Sequence, residues 1–357
     1  MLLEGIFAPI TTPFYPDGRL YLRKLEHNAD RYSRTPVAGK VVLGSTGEAV
    51  MLSDEETVEV LRIASESAAA EKILIAGVGR ESVIGTLAMC EAAARFAYDV
   101  ALVRTPVFYR AQYERRLTEM VTYYRAIADR SPLPLLLYSV PAYTRYDLPV
   151  EAIAELASHP NIIGLKDSVN SPERTAAIVE STRSVKRTVT VTSIFTAVTG
   201  RMLKQTPAAA PATFVSAGSL GSGGAALAVA PPQPALTTIK TRTKEIGFQV
   251  LTGSTAKLVD SLSAGATGAV VGMAACSPQA CFEAYTAWKE GDVALAAEKQ
   301  QRLAQAGAAV AAAYGVPGIK YACDLNGYYG GRPRLPLLPL TLEEQETVAA
   351  AMSKLRN

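Results

Sequence analysis

Residues 133–168 read LPLLLYSVPAYTRYDLPVEAIAELASHPNIIGLKDS, and this stretch decides the fold class. Its two short runs, LPLLLYSVP from Leu133 and IIGLKDS from Ile162, are apolar throughout rather than alternating. That pattern suits parallel strands covered on both faces. Between them, Val150 to Ser158 carries its apolar residues at helical spacing. Strand, helix and strand within about thirty residues form one βα unit.

The same unit recurs on either side. Similar runs begin at Gly5 (GIFAPITTPF), Lys40 (KVVLGSTGE), Lys72 (KILIAGVG), Asp99 (DVALVRTP), Phe248 (FQVLTGS) and Thr267 (TGAVVGM). From Gly5 to Ile162 the starts lie 27 to 35 residues apart. Helical spacing fills Asp54 to Ala70, Glu81 to Ala97, Tyr113 to Asp129 and Pro172 to Arg183, and Ser53 with Glu56 reads as a capping box. Eight runs with helices between them predict an α/β fold, a (β/α)8 TIM barrel with additional C-terminal helices at Val293 to Tyr314, Gly318 to Leu325 and Leu342 to Leu355. The competing open, doubly wound sheet usually carries a glycine-rich first turn, and PFYPDG at residues 13–18 is not one.

One step is out of pattern: 86 residues separate the runs at Ile162 and Phe248. Within it, residues 188–239 contain no Asp or Glu and only Arg201 and Lys204 as charges, in a Thr/Ala/Gly/Ser/Pro-rich setting. This predicts a poorly ordered insertion in a barrel spanning residues 1–290, followed by a helical extension at 291–357. A functional lid and a segment foreign to the fold are the other readings of it.

Composition narrows the function. A net charge of +3, evenly spread, argues against nucleic acid or an anionic membrane as partner. Two histidines are too few for a His-rich metal site, and four cysteines without a C-x-x-C pair fit a reducing compartment. No apolar stretch is long enough to span a membrane, and MLLEGIFAPITTPF lacks the basic and apolar regions of a secretory signal. The expectation is a soluble cytoplasmic protein.

Reactive side chains then matter where a barrel does its chemistry, at the C-terminal strand ends. Lys166 follows the apolar Ile162–Leu165. Burying an ammonium is costly, and that cost favours the neutral, nucleophilic amine that forms a Schiff base with a ketone. Pairing with Asp167, or reaching out to solvent, is the alternative. Tyr138 ends its run and is placed to relay protons, unless it is only a core tyrosine with a satisfied hydroxyl. Gly44-Ser45-Thr46-Gly47-Glu48 offers amides and hydroxyls to an anion, although tight turns favour such residues anyway. Phe108 and Tyr109, after the fourth run, suit a cover for the site or an interface.

Together these segments resemble the dihydrodipicolinate synthase / N-acetylneuraminate lyase family of pyruvate-dependent Schiff-base aldolases and lyases. GSTGE resembles the family's carboxylate-binding loop, YSVP its Y-N-[VI]-P and GLKDS its G-[IL]-K-[DE]-[SA], in the family's order and at strand ends. The resemblance implies that Lys166 forms the imine, that Tyr138 relays protons, and that Ser45, Thr46 and Gly47 hold the pyruvate carboxylate. Ser168, with the Ser45 and Thr46 hydroxyls, is then a candidate contact for the polar end of the second fragment. The family's further relay tyrosine, often supplied by a neighbouring subunit, aligns with Phe108, so Tyr109 takes that role only with a one-residue shift. The resemblance implies a homodimer or homotetramer, a keto-acid substrate and no metal or organic cofactor. The segments from Tyr138 to Ser168, from Phe248, and from Tyr314 look most like 4-hydroxy-2-oxoglutarate aldolase. The alternatives are dihydrodipicolinate synthase, which usually has an arginine where this chain has Tyr143 (Arg145 lies two residues on), and a catalytically inactive keto-acid-binding barrel.

Overall fold

The computed structural model describes residues 1–204 and 239–355. Six strands come first: β1 (Gly5–Pro9), β2 (Gly39–Val42), β3 (Ile73–Gly77), β4 (Val100–Arg104), β5 (Leu135–Ser139) and β6 (Ile162–Asp167). A two-stranded antiparallel ribbon follows, β7 (Arg187–Thr192) with β8 (Thr241–Ile246). Then β9 (Gln249–Thr252) and β10 (Gly268–Ala269) complete a closed parallel barrel, with β9 beside β6 and β10 back on β1. The eight barrel strands fall on the eight apolar runs of the sequence.

Strand alternation divides the barrel residues into two layers. Phe7, Val41, Leu102, Leu136 and Leu251 fill the barrel interior. Val42, Val103, Leu137, Leu165 and Val250 face the helices. Both layers are apolar because both faces of each strand are covered. Gly164 leaves room for the β9 backbone beside β6, since a Cβ there would run into the Gln249 carbonyl.

The helices between the strands are those the sequence spacing predicts, with trimmed ends: Asp54–Glu66, Val83–Arg95, Val150–Ala157 and Pro172–Ser181. Ser53 and Glu56 form both halves of their capping box. Tyr113 to Asp129 is split into a turn at Arg110–Tyr113 and a helix at Leu117–Ala128, separated by the non-helical Arg116. The C-terminal helices run Val293–Gly307, Ala313–Leu325 and Leu342–Met352, with a π-helical turn between the first two and a kink at Gly315, which has φ 58°. Val348, Met352 and Leu355 belong to the same core cluster as the strands' outer faces, so the packing runs on across residue 290.

Within the long step between β6 and β9, residues 187–204 are structured: β7 forms there, and a helical turn spans Gly200–Lys204. The expected loose insertion therefore does not begin at 188, and the rest of it lies outside the described residues. The strand was legible in principle, because RTVTVT alternates with period two and is rich in β-branched residues.

Candidate active site

Lys166 and Tyr138 are register partners on β6 and β5. Neighbours in register point to the same side of a sheet, and Tyr138 belongs to the interior layer. Each is 5% exposed, and Lys166 Nζ sits 4.1 Å from the centroid of the Tyr138 ring. Asp167, one residue on, faces the other way. Its carboxylate meets Arg174 Nε at 2.9 Å, and burial raises its pKa against the pull of that guanidinium. Lys166 is thus not neutralised by its sequence neighbour, and no ion pair involves it among the described residues.

The Tyr138 phenol is under opposing influences. Burial works to raise its pKa, but the Lys166 charge and polar contacts with Ser45, Lys166 and Ser168 outweigh burial and bring it below the usual tyrosine value. A phenol poised this way exchanges a proton more readily than an ordinary tyrosine.

Ser45 reaches the same point from β2. Its hydroxyl lies 3.2 Å from the Tyr138 hydroxyl. Ser45–Gly47 form a 3₁₀ turn. The first amides of such a turn have no partner within it and are free to meet an anion. Gly47 is confined, with its carbonyl accepting from Thr12 Oγ1 at 2.6 Å. Glu48 follows in the left-handed region, φ 54°, and is buried against Lys320 of the helix Ala313–Leu325. Ser168 opens the loop after β6: its amide donates to Ser139 O at 2.9 Å, and Gly253 after β9 leaves room for its hydroxyl.

The structure therefore brings Lys166, Tyr138 and Ser45 together, with Thr46, Gly47 and Ser168 at the same end of the barrel. It does not bring Tyr109 to them. The Glu81 carboxylate accepts from the Val107 and Phe108 amides at 2.9 and 3.0 Å and pairs with Arg104 at 2.9 Å. With the loop backbone so fixed, Phe108 is 79% exposed, Tyr109 is 61% exposed, and their rings meet edge to face at 5.1 Å. Tyr143 is 66% exposed, and Arg145 is exposed at the left-handed end of the turn Pro141–Thr144.

Sequence reasoning missed the residues that brace the site: Thr12, Arg104, Arg174, Lys320 and Arg334. Arg104 carries the signal that marked Lys166, a charge ending an apolar strand, and it is the register partner of Tyr138. Lys320 was visible as a lone charge within GIKYAC. The partners of Lys320 and Arg334 lie far away in sequence, which no local pattern discloses.

Comparison with known proteins follows the same lines. A sequence profile described as the Dihydrodipicolinate synthetase family matches residues 2–193 and 234–355. A 4-hydroxy-tetrahydrodipicolinate synthase from Xanthomonas axonopodis pv. citri (strain 306) is 40% identical over 179 residues, which are 50% of this chain and 58% of that protein. An L-threo-3-deoxy-hexylosonate aldolase from Hypocrea jecorina is 28% identical over 99% of this chain and 95% of its own length. Among solved structures, a dihydrodipicolinate synthase from Bacillus anthracis superposes with a TM-score of 0.76 at 21% identity, covering 99% of both chains. A prophage protein of the dihydrodipicolinic acid synthase family from E. coli K12, in complex with pyruvate, gives 0.76 at 24% identity over 99% of both chains. At these identities the structural matches speak for the fold.

Proposed function

The chain belongs to the dihydrodipicolinate synthetase family, and from its site we propose that it is a Schiff-base aldolase cleaving 4-hydroxy-2-oxoglutarate to pyruvate and glyoxylate. The observation that carries this is the buried Lys166 amine over the Tyr138 ring, with no carboxylate paired to it among the described residues and the Ser45 turn alongside.

Lys166 Nζ attacks the C2 ketone, and loss of water leaves a protonated imine. The Ser45–Gly47 turn holds the C1 carboxylate through its amides and the Ser45 and Thr46 hydroxyls. Tyr138 takes the proton of the C4 hydroxyl, the C3–C4 bond breaks, and its electron pair moves into the iminium to give an enamine. Glyoxylate departs as the aldehyde. Protonation at C3 and hydrolysis of the imine release pyruvate and restore the amine. No step calls for a metal or an organic cofactor.

The alternative of condensing pyruvate with aspartate semialdehyde is less well supported. Tyr143 stands where that activity usually has an arginine, and Arg145 is exposed. Cleavage of a 3-deoxy-hexylosonate is the second reading, favoured by the near full-length match to the Hypocrea enzyme. It uses the same imine and differs only in the aldehyde released. The deciding experiment is product release from each acid in parallel. Glyoxylate formed at a higher kcat/KM supports the proposal; turnover of the hexylosonate alone replaces the substrate but keeps the mechanism. An inert protein that binds pyruvate without forming an adduct would be the keto-acid-binding barrel. Self-association is proposed too: Phe108, Tyr109 and Tyr143 expose aromatic surface at the mouth, and light scattering should find a dimer or tetramer.

A further inference from the structure

We infer that Lys320 is a positioning residue: through Glu48, the helix Ala313–Leu325 sets the Ser45–Gly47 turn in the form that receives a keto acid's carboxylate. The inference rests on the Schiff-base reading for what the turn binds.

Glu48 is the residue directly after the turn, and its backbone is left-handed at φ 54°. A non-glycine residue held there is strained and persists where its surroundings over-determine it. Here they do. Lys320 Nζ lies 2.5 Å from Glu48 Oε1, and the Arg334 amide donates to Oε2 at 2.8 Å. Lys320 also donates to Thr12 O and Arg332 O, each at 2.9 Å, and lies 4.5 Å from the centroid of the Phe14 ring. Thr12 in turn binds Gly47 O through its hydroxyl. One ammonium therefore ties together the chain after β1, the turn after β2 and the loop after the helix Ala313–Leu325.

Stability alone does not account for such a group. Lys320 and Glu48 have side chains 0% and 1% exposed. A fully buried ion pair is commonly matched or bettered by apolar residues of the same volume, because desolvating two charges offsets their attraction. What the pair supplies is position. The ammonium charge holds the carboxylate in place, the Arg334 amide's hydrogen bond to Oε2 orients it, and the carboxylate so held braces the backbone that presents the Ser45 and Thr46 amides.

The test uses Lys320→Met, Glu48→Gln and the double variant in the full chain. Pyruvate affinity is read by titration calorimetry, and the pyruvate concentration for half-maximal borohydride trapping is read beside it. Lys320→Met is expected to weaken pyruvate binding at least tenfold while saturating pyruvate still labels Lys166. The double variant is expected to melt above Lys320→Met, because Glu48→Gln removes the unpaired buried charge, and to keep the tenfold loss, a split that a merely structural pair would not show. If Lys320→Met fails to fold, the double variant carries the test. Parent-like pyruvate affinity in the double variant overturns the inference. Absence of any adduct in the parent protein sinks the Schiff-base reading instead, and calorimetry still decides whether Lys320 governs pyruvate affinity.

Discussion

At the scale of single residues the site depends on two side chains in register, Lys166 and Tyr138. Tyr138→Phe keeps the ring under the amine and removes the proton relay. We expect kcat to fall by about 10²–10⁴-fold, with pyruvate still trapped on Lys166; unchanged turnover would remove Tyr138 from the mechanism. Both residues stand out in the sequence as polar side chains at the end of an otherwise apolar strand, and the likeness of YSVP and GLKDS to the family's motifs is what points to their roles. Lys40 shows what was not legible. It is fully buried on β2 and donates to Ala29 O and Ser33 Oγ, both at 2.8 Å. Burial brings its pKa from 10.5 down to about 7. Between those values the unfolded chain binds more protons than the folded one, so this group makes stability rise with pH across that window and adds no slope below it. Lys40→Met should raise stability at pH 7 and flatten the rise, by at most about 1.4 kcal/mol per pH unit. Denaturant melts at pH 7 and pH 9.5 check this, and equal slopes in the two proteins would refute it.

At the scale of elements, the strands were readable because continuous apolar runs have few other uses at that spacing. Helix starts were readable where a cap was written out. Ser53→Ala removes one side of the capping box and should cost about 1 kcal/mol, lowering Tm by about 2 °C with kcat/KM unchanged. A larger loss would mean that Ser53 does more than cap. Gly164 carries a sharper expectation. A methyl group there meets the Gln249 carbonyl across the β6–β9 seam, one turn of the pleat from Lys166. Gly164→Ala should destabilise by about 1–3 kcal/mol and lower the yield of the imine adduct at a fixed pyruvate concentration, because β6 must shift to admit it. That β7 is hard to read has a compositional cause: its Thr-rich alternation sits beside a Gly/Ala/Pro-rich segment and shares its lack of acidic residues.

At the scale of the whole molecule, the barrel count was legible and the role of the C-terminal helices was not. The sequence shows that they exist. It does not show that Lys320 and Arg334 return to the turn after β2, since those contacts join residues more than 270 positions apart. The packing of Val348, Met352 and Leu355 into the common core predicts that ending the chain after Leu340 costs both stability and pyruvate affinity. Calorimetric melting and pyruvate titration of that truncation check it, and a truncated chain with parent-like affinity would separate the extension from the site.

The most direct measurement is mass spectrometry of proteolytic peptides after incubation with pyruvate and borohydride. The account predicts one reduced pyruvyl adduct, on the peptide bearing Lys166, and none in Lys166→Arg. An adduct on another lysine, or none at all with pyruvate in excess, would contradict it.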